Sequence, residues 1–285
     1  MSEPSEINSM GDSVRIPNPK SIPFHDGREL VMLLRTSRCI QFKSLLECLK
    51  ELLTQVNMEF IENTGVRLVS IDPGKVAMVH LIINEVEYFY AKGTVTAGLD
   101  MAFMYKMIRC LTASDFMEWR IYADEPHSMY IELSNSERRT KTVNKMKLLD
   151  LDEMDISIPH VEFDRVVSIP SSELAKHIRE MGAISNVVTI KGTKNTLEFS
   201  ADGEMASSHI TIQPTASGLN WKHSEDVKDI EGTFISKYLE KFTRASALDS
   251  STEIFLKEGY PLIMRFELSI GTLRFVIAPV SRESG

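Results

Sequence analysis

Apolar residues along this chain switch between strict alternation and helical spacing, and the switches mark out its elements. Glu29 to Arg35 (ELVMLLR) reads as a first strand. Between Gln41 and Leu53, residues Phe42, Leu45, Leu46, Leu49, Leu52 and Leu53 form one stripe and predict an amphipathic helix. Strands are predicted at Asn57 to Glu62 and Val66 to Ile71, with hairpin-turn chemistry at Asn63-Thr64-Gly65 between them. Asp72-Pro73-Gly74 turns the chain into strands at Val76 to Ile83 and Glu87 to Ala91. A second helix follows over Asp100 to Leu111, then strands at Glu118 to Ala123 and Ser128 to Leu133 and a basic cluster of Arg138, Arg139 and Lys141.

The stretch Met146 to Pro170 fits neither period. It turns acidic at Asp150, Asp152, Glu153 and Asp155, with Leu151, Met154, Ile156 and Ile158 set between the charges. Pro159 cannot donate to a strand ladder and biases Ile158 toward extended backbone. The reading is a long extended connector that carries apolar side chains in the open.

Beyond it the plan repeats. A strand at Val166 to Ile169 leads into a helix at Ser171 to Met181, opened by Pro170, Ser171, Ser172 and Glu173. A hairpin (Val187 to Lys191, Thr196 to Ala201), a strand at His209 to Gln213, a polar loop from Pro214 to Asp229 and a fourth helix at Thr233 to Ser246 come next. Strands at Thr252 to Leu256, Leu262 to Leu268 and Leu273 to Ile277 close the chain. Asn63-Thr64 with Val66, Leu68 and Ser70 matches Asn195-Thr196 with Leu197, Phe199 and Ala201, an internal repeat. The organisation read from this is a disordered tail at residues 1–28, domains at 29–147 and 166–280, and a connector at 148–165.

Composition narrows the picture. At 285 residues and 43% hydrophobic, the chain can build two ordinary cores. Its net charge of -8 argues against nucleic-acid binding unless Lys and Arg cluster locally. Cys39, Cys48 and Cys110 form no CxxC pair, which fits buried free thiols in a reduced intracellular compartment. No run is long and apolar enough for a membrane span, and the polar N-terminus is not a secretory signal. No metal-ligand spacing, phosphate loop or catalytic constellation stands out, so no cofactor and no enzymatic role are expected. His177 reads as a surface histidine, and Asp150, Asp152 and Asp155 lack the rest of a calcium loop.

The helices do cluster charge. Helix two carries Met104, Lys106, Ile108, Arg109 and Leu111; helix three Leu174, Lys176, Ile178, Arg179 and Met181; helix four Ile235, Lys237, Leu239 and Phe242, with Lys241 and Arg244 added. Helix one keeps the idea loosely through Lys43 and Lys50. At about 100° per residue the apolar set faces one way and the basic set nearly the opposite way. On one helix this is an ordinary solvated face. On four helices of an acidic chain it is a bias, though Glu47, Glu180 and Glu240 interrupt it. Such a surface attracts phosphates without reading bases.

Several segments resemble the eukaryotic sliding clamp family, PCNA: MKLLDLDEMDISIPHVEF, the family's interdomain connector; GVRLVSIDPGKVAMVHL; IPSSELAKHIREMG; LEFSADGE; KYLEKFTRASALDSS; and LRFVIAP. The match runs from about Leu30 to Pro279. The resemblance implies an α+β protein of two repeated clamp-fold domains, helices on one face and antiparallel sheets on the other. It implies a homotrimeric head-to-tail ring around double-stranded DNA, a clamp loader, and a nuclear or viral replication setting. DNA polymerase and other PIP-motif proteins would be tethered by a short peptide. Carried over by motif, the DNA-facing positions are Lys43, Lys50, Lys106, Arg109, Lys147, Lys176, Arg179, Lys237, Lys241 and Arg244. The implied peptide pocket is Ile71, Val76, Met78, Ile156, Ile158, Pro159, Phe163, Tyr260, Pro261, Val276, Ile277, Ala278 and Pro279, of which Ile71, Val76 and Ile277 also read as core. Ser44, Lys75, Phe163 and Tyr260 depart from the family's usual residues, and Lys194 falls at its regulatory lysine. Two rivals stand beside this reading: a clamp-fold subunit that is not a homotrimer, such as a checkpoint-type subunit or monomeric viral processivity factor, and an enzyme of unrelated α+β type.

Overall fold

A computed structural model describes residues 23–152, 156, 161–224 and 229–280. After a short β1 (Phe24–His25), the first half runs β2 (Arg28–Thr36), α1 (Cys39–Leu49), β3 (Gln55–Ile61), β4 (Gly65–Ile71), β5 (Ala77–Ile83), β6 (Tyr88–Ala91), β7 (Thr94–Asp100), α2 (Met101–Ile108), β8 (Phe116–Tyr122), β9 (Glu125–Asn135) and β10 (Thr140–Lys147). The second half runs β11 (Arg165–Pro170), α3 (Ser171–Gly182), β12 (Val187–Gly192), β13 (Leu197–Asp202), β14 (Ser207–Ile212), β15 (Asn220–Ser224), β16 (Ile230–Ile235), α4 (Ser236–Thr243) with a 3-10 turn (Arg244–Ala247), β17 (Ser251–Leu256), β18 (Leu262–Leu268) and β19 (Gly271–Ile277).

The two halves correspond strand for strand. β2 pairs with β6 and β8, and β9 and β10 follow; β11 pairs with β15 and β17, and β18 and β19 follow. In the same way β7-β3-β4-β5 answers β16-β12-β13-β14. One further pairing joins the halves: β19 lies antiparallel to β5, with Val276 opposite Met78, so a nine-stranded sheet spans both. The strands equivalent to these two in the repeat, β10 and β14, have no such neighbour among the described residues: β10 pairs only with β9, and β14 only with β13.

Alternation sets the layers. On β5, Ala77, Val79, Leu81 and Ile83 are buried, while Met78, His80 and Ile82 lie on the other, partly exposed face. The buried faces carry the helices through Phe42, Leu45, Met104, Ile108, Leu174, Ile178, Leu239 and Phe242, and the apolar interior of both halves is contiguous. The helices pack as α1 with α2 and α3 with α4, and α1 also meets the 3-10 turn after α4.

Sequence pattern missed β1, β7, β10 and β15; β1 pairs with β2 inside the stretch 1–28 read as a disordered tail, so that reading fails from Phe24 onward. β10 (TKTVNKMK) is an exposed edge on which only Met146 is buried, so no alternation appears. The start proposed for the fourth helix is β16; helix begins only at Ser236, after the β-type residues Phe234 and Ile235. Burial pushes the Cys39 and Cys48 thiols up to about 12, but Cys110 is exposed rather than buried. His177 is half-buried, stacked on Phe199 at 6.2 Å and within 4 Å of Glu173 and Glu180, rather than a free surface group.

Candidate nucleic-acid and peptide interfaces

Once each helix commits its apolar stripe to the sheets, its basic residues have only the far side. Lys106, Arg109, Lys176, Arg179, Lys237 and Arg244 are exposed there, and Lys147 is exposed at the end of β10. Lys106 lies 4.7 Å over the exposed ring of Phe103. Lys176 approaches Glu180 one turn on at 3.9 Å, a loose pair that leaves most of its charge to solvent.

Three of the predicted basic residues, the exposed Arg244 among them, are gathered by an acid that sequence reasoning passed over. Glu51 follows α1, and Lys50 Nζ lies 2.6 Å from its Oε1. Arg244 approaches Oε2 at 3.5 Å, while Lys241 Nζ donates to the Glu51 main-chain oxygen at 2.7 Å. Lys50, then burial acting against it, and then Arg244 and Lys241 set the carboxyl's balance, which lies below the usual range. Lys241 and Arg244 come from the second half of the chain, so this node ties the two halves on the helical side. Lys43 is also occupied, donating to the Leu111 carbonyl at 3.2 Å between α1 and α2.

The opposite face carries the peptide-pocket candidates. Residues directly opposite in an antiparallel ladder share a face. The registers Ile71–Met78–Val276–Ile263–Phe255–Val166 therefore make one apolar row across β4, β5, β19, β18, β17 and β11. Ile71 is 37% exposed at one end of it. Phe163, 9% exposed, packs edge-on against Phe255 and Tyr260, with centroids 5.4 and 5.8 Å apart. Pro279 and Tyr260 line a cavity of about 50 Å³ with Gly232, Phe234, Leu256 and Leu262. Pro261 and Ile156 are half-buried, and Ala278 is exposed, its N–H donating to the Val76 carbonyl at 3.1 Å. Ile277 is a correction: fully buried and opposite Ala77, it belongs to the core face, because alternation turns it away from Val276. Val76 likewise packs against the core. Ile158 and Pro159 lie outside the described residues. Ile263 and Phe255 were missed, although their alternation within β18 and β17 marks them.

The described ends of the connector are held at the two sides of this face. Leu149 bridges to Gly98 on β7, where an added Cβ would stand 2.2 Å from the Leu149 carbonyl oxygen. Asn57 Nδ2 donates to the Asp152 carbonyl at 3.2 Å. At the far end, Lys257 Nζ donates to the Glu162 carbonyl at 2.8 Å before β11 begins. β7 and β11 are separated in the sheet by β3, β4, β5, β19, β18 and β17. At about 4.8 Å per strand that is roughly 34 Å, within the reach of the roughly 16 residues from Leu149 to Arg165.

A second tie between the halves lies beside the apolar row. The Asp72 carboxylate accepts from the N–H groups of Gly74, Val76 and Ala77 at 2.7 to 2.8 Å and from the Tyr238 hydroxyl of α4 at 2.6 Å.

Residues 32–155 match the family model for the N-terminal domain of proliferating cell nuclear antigen, and residues 157–280 match that for its C-terminal domain. The chain is 31% identical over 262 residues to the probable DNA polymerase sliding clamp 1 of Paramecium bursaria Chlorella virus 1, covering 90% of this chain and 99% of that protein. It is 29% identical over 248 residues to proliferating cell nuclear antigen of Saccharomyces cerevisiae, covering 84% and 93%. A crystal structure of the proliferating cellular nuclear antigen of Entamoeba histolytica superposes with a TM-score of 0.81 at 21% identity, over 88% of this chain and 100% of that one.

Proposed function

The chain belongs to the proliferating cell nuclear antigen family, the DNA sliding clamps, and we propose that three copies close head to tail into a ring threaded by duplex DNA. One observation carries the ring: inside the chain β19 pairs with β5, while the strands equivalent to these in the repeat, β10 and β14, are open edges among the described residues. Joining β10 of one copy to β14 of the next repeats the internal junction, and a heterologous contact of this kind makes a ring when the rotation closes. Each copy then contributes domains 29–147 and 166–280, with the connector 148–165 over the outer sheet.

The helices line the hole. Lys106, Arg109, Lys147, Lys176, Arg179, Lys237 and Arg244 face phosphates, and Lys43, Lys50 and Lys241 brace that lining through Leu111 and Glu51. Contacts of this kind hold the duplex without favouring one register, and their strength falls with salt. On the outer face, Ile71, Met78, Val276 and Phe163, with Tyr260, Pro261, Ala278 and Pro279, receive the apolar plug of a PIP-type peptide under the connector at Ile156, Ile158 and Pro159. Polymerase and other partners are held this way, after a loader has opened the ring, in a nuclear or viral replication compartment. Sliding clamps of this family are non-catalytic scaffolds, and this role needs no reacting group.

Changing Lys106, Arg109, Lys176 and Arg179 together to Glu is the test. Polymerase stimulation on primed DNA should be lost while the assembly's mass by light scattering is unchanged. Undiminished stimulation would remove the DNA-facing assignment.

A further inference from the structure

We infer that Arg274 and His80 form an acceptor site for one anionic side chain, a carboxylate or phosphate, of the peptide docked on the apolar row; this rests on the peptide-docking reading above. Two residues along each strand from that row, on the same face, runs a second row in which Val69 is followed by four polar residues, His80–Arg274–Arg265–Glu253. Arg274 and Arg265 stand directly opposite each other, an arrangement that costs stability unless both charges are answered. Only one is. Arg265 pairs with Glu253, and its Nε lies 3.2 Å from Glu267.

Arg274 donates no hydrogen bond and forms no ion pair among the described residues. Glu267 attracts it only at longer range, being held by Arg265 and by the Thr272 hydroxyl at 2.9 Å. A half-buried guanidinium without a counter-ion is expensive to keep. On its other side stands His80, which burial and then the charges of Arg274 and Arg67 hold near a pKa of about 4. The imidazole is therefore neutral at pH 7 and adds a hydrogen-bonding edge without further repulsion. The site lies on the sheet face opposite the helices, away from any DNA in the ring. Arg274 is two residues from Val276, and His80 two from Met78, so an acid flanking the plug comes within reach.

Calorimetry with a neutral PIP-type peptide, a series carrying Asp at each flanking position, and matching phosphoserine peptides tests this. The wild type is compared with Arg274→Gln and with Val276→Glu. At one or two positions the acid should tighten binding about tenfold at low salt. Arg274→Gln should erase that gain while leaving the neutral peptide's affinity within about twofold, which also reports that the variant is folded. If neutral binding is normal and abolished by Val276→Glu, yet no acid helps or its gain survives Arg274→Gln, the anion site is overturned and the docking row stands. If the neutral peptide does not bind, or Val276→Glu leaves it bound, the docking row falls and takes the anion site with it.

Discussion

Asp72 is buried yet held charged, because three backbone N–H groups and the Tyr238 hydroxyl all donate to it. These bonds outweigh burial and keep its carboxyl below the usual range, while the same contact pushes the Tyr238 phenol up to about 12. Tyr238→Phe should lose about 1–2 kcal/mol in denaturant unfolding, since a charged acceptor forfeits one donor. An unchanged midpoint would deny the contact its role in joining the halves. The two perturbed groups titrate in separate windows. His80, lowered to about 4, leaves the native state short of a proton that the unfolded chain binds below about pH 6.5. Stability should therefore fall as pH drops from about 6.5 to 4, and His80→Gln should flatten that slope; an unaltered slope would contradict the burial of the imidazole. The Asp72 contribution is present above about pH 4 and lost below it. Neither group was legible in the sequence. Charge and spacing mark Lys106 or Arg179, but which lysines are spent on Glu51, and that Arg274 meets no acid among the described residues, depends on strands and helices distant in the chain.

Among elements, the best-marked in the sequence were those with one buried and one wet face, such as α1, α3, β4 and β5, because their apolar periods are unbroken. Elements at edges were not. β10 and β15 have polar residues on both sides, and β7 carries Gly98 where Leu149 crosses it. The strand on which the proposed assembly depends is thus the one least visible. An open edge is a template for another chain. Proline at Thr142 and at Val143 separates its two sides, since neighbouring N–H groups on a strand point opposite ways. One variant should weaken the ladder to β9; the other should remove only an outward donor and give a folded single chain of 32.2 kDa by light scattering. Two proline variants that both keep the wild-type mass would place the subunit contact elsewhere.

Taken whole, the molecule separates its charge. It carries -8 overall, yet its helical side presents Lys and Arg at equivalent places in both halves, because the internal repeat copies helices along with sheets. That much followed from the repeat and from the helix faces read in sequence. The pairing of β19 with β5 did not, because it links strands nearly 200 residues apart. A ring that surrounds DNA topologically, rather than gripping it, predicts a behaviour that affinity alone cannot mimic. The protein is loaded with a clamp loader onto nicked circular duplex, washed in high salt and then followed by gel filtration as the circle is cut once. Retention on the circle and release on linearisation is the predicted result; equal loss from circular and linear DNA would contradict encirclement.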